Sequence, residues 1–117
     1  MYVDDETRMR HMLDAAREAL DFAAGRTRPD LDDDRMLYRA LVSCIVDIGE
    51  AASHLTPDAR AALPTVPWTQ IVGMSNRLVH GYYLIDPDIV WETVTVHLPP
   101  LVAALEQVLA QEPGIKH

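Results

Sequence analysis

Apolar residues recur at spacings of three and four along most of this chain, and nowhere do they alternate at period two for a useful length, so the pattern predicts helices only. Between residues 4 and 24, Met9, Met12, Leu13, Ala16, Leu20 and Ala23 fall on one helical face. Asp4 or Asp5 can cap its start, and Gly25 can end it. A second run over about 31–55 places Met36, Leu37, Ala40, Leu41, Cys44, Ile45, Ile48, Ala51 and Ala52 on one stripe, which predicts a long amphipathic helix. The carboxylates Asp30, Asp32, Asp33 and Asp34 would lie in its first turns, favoured by the helix dipole. The small residues Ser43, Gly49, Ala51 and Ala52 would permit close approach of a neighbour.

Three helix starts are signalled by proline. Thr56-Pro57 opens a short helix to about Ala62, Pro67-Trp68 opens one reaching about His80 before Gly81, and Asp86-Pro87 opens a third. Pro99 and Pro100 are expected to break or kink that third pattern before a last helix over 101–111. The predicted fold is all-α, a single domain over 1–117 built as an antiparallel bundle of four to five helices with a short accessory helix.

The 117 residues are 49% apolar and 24% charged, enough to bury one core without staples. Cys44 stands alone, which excludes an intrachain disulfide and a cysteine-based zinc cluster. The N-terminus carries charges where a signal peptide needs an apolar core, so a cytoplasmic protein outside the membrane is expected. A formal charge of −8 excludes a broad phosphate-binding surface, so any RNA contact must be local. Between 61 and 85 the only charged residue is Arg77, which predicts burial or an interface there. His11, His54 and His97 lack the paired spacing of a metal-binding helix, and no metal is expected.

Against that neutral background, Asn76, Arg77 and His80 are conspicuous. Spacings of three and four let all three face one way. An imidazole can accept a 2′-hydroxyl proton or donate to a leaving oxygen, and a guanidinium can clamp a phosphate, which suits metal-free RNA cleavage. The plainer alternative is that Arg77 and His80 complement the negative end of their helix.

The string Asn76-Arg-Leu-Val-His80-Gly-Tyr82, with Ile85-Asp86-Pro87 and Val90-Trp91 after it, resembles the signature region of HepT toxins in the HEPN ribonuclease superfamily. The resemblance extends to the long helix over 35–55 and to Leu98-Pro-Pro-Leu101. It implies a HEPN-like bundle that acts as a homodimer and a metal-independent RNA endonuclease without cofactors. It further implies the toxin half of a type VII-like toxin-antitoxin pair, restrained by a MntA-like nucleotidyltransferase that transfers AMP to Tyr82; Tyr83 competes for that part. In the family motif an arginine precedes the histidine by four to six residues. His80, Tyr82 and Asn76 match, whereas Ser75 occupies the best-aligned arginine position. The chain is then naturally inactive, has acquired the serine, or uses Arg77 instead. A noncatalytic helical protein that binds a nucleotide or a partner is the alternative.

Overall fold

A computed structural model describes residues 3–81 and 86–111, with the side chains of 4–77 and 86–111. Every element in those residues is helical: α1 (Val3–Ala23), α2 (Asp30–Asp33), α3 (Arg35–Ser53), α4 (Pro57–Ala61), α5 (Trp68–Gly81), α6 (Pro87–Glu92), a π turn (Thr93–His97) and α7 (Leu98–Gln111). The run from α6 through α7 is continuous, so four long helical stretches form the bundle and α2 and α4 are accessory.

The core follows from the predicted stripes. Met9, Met12, Ala16 and Ala19 of α1 are fully buried, facing Leu41, Cys44, Ile45 and Ile48 of α3. Val90, Val94, Leu98, Leu101, Leu105 and Leu109 run down one side of α6–α7 into the same core, much of it against α1. By length and composition alone, the 25 residues Pro87–Gln111 would suffice to cross a membrane. Their buried stripe supplies the bundle's third wall.

Three expectations need correction. The helix expected over 31–55 is interrupted at Asp34, whose backbone is extended (φ −119°, ψ 94°) and whose carboxylate accepts from Leu37 N at 3.1 Å. An aspartate three residues ahead of a helical N–H caps more favourably than it sits mid-helix. The break turns Met36 outward, 83% exposed rather than on the buried stripe. Arg26 then bridges Asp30 at 3.3 Å and Asp34 at 3.0 Å, tying the loop across the break.

Asp5 is not a helix cap. It is 1% exposed and reaches across the bundle to accept from Thr56 N at 3.0 Å and Thr56 Oγ at 2.7 Å. Thr56 Oγ in turn accepts from Ala59 N at 3.2 Å, capping α4, so one buried carboxylate holds the α3–α4 turn against the start of α1.

Pro99 and Pro100 do not break the last helix but lie in the first turn of α7. Proline lacks the N–H that an α-helix needs, and its ring crowds the carbonyl four residues back. The chain widens immediately before them: Leu98 N donates to Thr93 O, five residues back, making the π turn.

Candidate functional site

α5 is set in place at its start. Trp68 Nε1 donates to Arg60 O at 3.1 Å and to Leu63 O at 3.2 Å, while the Arg60 guanidinium lies 5.9 Å above the indole ring and donates to Ala52 O at 2.9 Å. Trp68 is therefore a packing residue that locks the α4–α5 connection.

From there α5 leans on α3 through very small groups. Ser75 is 3% exposed, and its hydroxyl donates to Val46 O at 3.3 Å. A Cβ added to Gly49 would overlap the Cβ and hydroxyl of Ser75. The missing side chain at position 49 is thus what lets the two backbones approach at position 75. Gly49 belongs to the small-residue set expected to allow this contact; Ser43, from the same set, is exposed.

The sequence-predicted site residues separate into two groups. Asn76 and Arg77 are exposed, whereas Ser75 is buried against α3. At 100° per residue Arg77 lies about 160° around the helix from Ser75. The structure brings Asn76 and Arg77 to the open side of α5 and does not bring Ser75 there. The backbone of His80 belongs to α5, one turn beyond Asn76 and Arg77. Its side chain, and the whole of Tyr82 and Tyr83, lie outside the described residues.

Arg77 edges a groove of about 520 Å³ between α3, α5 and the α6–α7 run. Ile45, Ile48, Ile71 and Leu98 make an apolar floor, and Glu92 and His97 stand on the α6–α7 side. Among the described residues no salt bridge involves Arg77. His97 Nε2 lies 3.8 Å from Glu92 Oε1. Pattern reading missed this pair, because five residues is not a same-face spacing on an α-helix. The double proline was the available signal of altered winding.

Cys44 is inert by its surroundings: burial and then the Glu18 carboxylate, 3.6 Å away, push its thiol up to about 12. Among the described residues no group of three or more metal-ligating side chains is assembled.

Comparison with known proteins agrees with the resemblance carried by the α5 motif. A family described as "Ribonuclease HepT-like" matches residues 12–108. A protein named "Putative RNase" in Caldanaerobacter subterraneus subsp. tengcongensis is 31% identical over 104 residues, covering 89% of this chain and 93% of the relative. A namesake in Methanocaldococcus jannaschii is 29% identical over 95 residues, covering 81% and 87%. "Probable ribonuclease HepT" of Thermococcus cleftensis is 28% identical over 74 residues, covering 63% and 67%. No solved structure matches. With the match spanning most of the bundle, α5 and the groove included, the chain belongs to the ribonuclease HepT-like family.

Proposed function

We propose that this protein is a HepT-type toxin that cleaves RNA without a metal, with His80 moving the proton and Arg77 holding the phosphate. One observation carries the reading: Asn76 and Arg77 are exposed together on the open side of α5, one turn before His80, in a chain of this family. In the reaction His80 takes the proton of a ribose 2′-hydroxyl. That oxygen attacks the adjacent phosphorus, forming a 2′,3′-cyclic phosphate as the P–O5′ bond breaks, and the leaving 5′-oxygen takes a proton from water. The Arg77 guanidinium offers paired donors to the charge that builds on the phosphate. Asn76 supplies a neutral donor beside it.

Arg77 takes this part because Ser75 is buried and carries no charge. His80→Ala and Arg77→Gln are each expected to lower RNA cleavage by about 10²–10³, while Ser75→Arg, which forces a long charged side chain into the close α3–α5 contact, does not raise it. A gain of tenfold or more in Ser75→Arg would move the cation to position 75.

The toxin acts as a homodimer in this proposal, and a nucleotidyltransferase antitoxin silences it by AMP transfer to Tyr82. Added phosphodiesters place negative charge and bulk two residues from His80, which repels RNA. A mass in light scattering that stays monomeric at every concentration refutes the dimer. Incubation with the cognate nucleotidyltransferase, ATP and magnesium should add AMP masses that Tyr82→Phe abolishes.

A second reading, a noncatalytic partner of that nucleotidyltransferase, is favoured by the neutral, buried Ser75 at the motif's arginine position. It prevails if neither the native chain nor Ser75→Arg cleaves RNA.

A further inference from the structure

We propose that the groove beside Arg77 is a base-reading subsite that takes an unstacked guanine of the RNA strand, with Glu92 as its specificity-determining residue and His97 as the residue that positions Glu92. The inference rests on the ribonuclease reading for its choice of an RNA strand, but the subsite is argued from the groove itself.

The winding of the helix comes first. In an uninterrupted α-helix, residues 92 and 97 would point about 140° apart. The π turn Thr93–His97 closes its hydrogen bond at five residues, from Leu98 N to Thr93 O, which returns position 97 to the side of position 92. The result is a carboxylate and an imidazole 3.8 Å apart, both on the groove wall. Thr93 Oγ donates to Ile89 O at 2.7 Å and Thr95 Oγ to Trp91 O at 2.8 Å, so the hydroxyls of this stretch are occupied by its own backbone. Glu92 and His97 keep their polar atoms for the groove.

The floor and walls then select the occupant. Half-buried Ile71, backed by the buried Ile45, Ile48 and Leu98, gives the groove an apolar lining for a planar ring, the environment in which proteins hold splayed-out bases. A carboxylate has two acceptor oxygens and no donor. Of the four bases only guanine sets two donors side by side on its pairing edge, N1–H and the N2 amino group. Adenine and cytosine pair one amino donor with an acceptor, and uracil flanks its single donor with acceptors. Glu92 therefore matches guanine and meets at least one acceptor face to face in every other base. Arg77, at the groove's edge on α5, is placed for the phosphate of that nucleotide.

The test uses short single strands with 2′-O-methyl riboses, which cannot be cleaved, identical except for a central G, A, C or U. Fluorescence anisotropy with the full chain should show the G strand bound at least tenfold tighter than the other three. Glu92→Gln should bring all four within about twofold, and His97→Gln should reduce the preference part way without altering thermal stability. Equal affinities in the native protein, or a preference that survives Glu92→Gln, overturn the proposal. If free GMP binds in a Glu92-dependent way while the strands show no preference, the groove serves a free nucleotide and the RNA assignment fails. If no base binds and Glu92→Gln shifts the oligomer mass, the groove is covered by a second copy and the proposal also fails. Cleavage is measured separately: a G preference in a chain that cuts no RNA sinks the ribonuclease reading and leaves the subsite standing.

Discussion

α1 and α5 are both amphipathic helices packed on α3, yet they pack in opposite ways. α1 sinks five apolar side chains, Met9, Met12, Leu13, Ala16 and Ala19, below solvent reach. From Trp68 to Arg77, the only fully buried residue of α5 is Ser75, while Ile71, Val72 and Met74 remain half exposed. The α1–α3 pair buries the larger apolar side chains, whereas α5 is held by a tight backbone contact at Ser75 and by the Trp68 hydrogen bonds at its start. Helices that carry function are drawn from such lightly buried elements, because a surface that must meet a ligand cannot also be spent on the core.

The sharpest way to break the contrast is a matched pair of truncations. Leu41→Ala, at a fully buried position of α3, should cost about 2–5 kcal/mol in denaturant unfolding, and Ile71→Ala on α5 less than half as much. Equal losses would make α5 a core helix after all. Gly49→Ala should cost about 1–3 kcal/mol by overpacking. Ser75→Gly in the same chain should recover most of it, since the nearest remaining neighbour of the new methyl is Ile71 O at 3.4 Å. Failure of that rescue in thermal melts would mean the close contact lies elsewhere.

Asp5→Ala probes the other end of the strong pair. It strips Thr56 of two hydrogen bonds at a buried position, and a loss of about 1–3 kcal/mol is expected. Asp34→Ala removes only a helix cap and should cost less than Asp5→Ala in the same unfolding measurement. The carboxyls of Asp34 and Asp30 are held below the usual carboxylate range, first by the backbone N–H groups of Leu37 and Thr27 and then by Arg26. Their contribution is thus present above about pH 4 and lost as the pH falls through and below that range. Because both groups are exposed the slope is shallow, and Asp34→Ala should flatten it further in acid titrations of stability. Smallest of all, native Cys44 should take no iodoacetamide label at pH 8, detected by mass, and take it fully once unfolded.

How far the sequence could be read differs along the same line. The α1 and α3 stripes and the Thr56-Pro57 and Asp86-Pro87 starts were legible because each depends on local spacing or capping chemistry. Asp34 was not, since four clustered aspartates look alike until one of them finds Leu37 N to cap. Ser75 was singled out as the occupant of the motif's arginine position, and that alignment says nothing of its burial, which depends on a glycine 26 positions earlier. Glu92 and His97 were invisible as a pair because their spacing presumes a winding that only the following prolines impose.

The two ends of the described chain are packed side by side: α7 lies along α1, where Arg17 and Glu106 form an ion pair. During synthesis, therefore, α1 and α3 can meet early, but the second flank of α1 has no cover until the last helical run is made. A nascent chain that stops short of α7 presents a half-walled core, and its exposed leucine-facing side is a target for chaperones or self-association. Closure of the bundle thus waits on synthesis of α7.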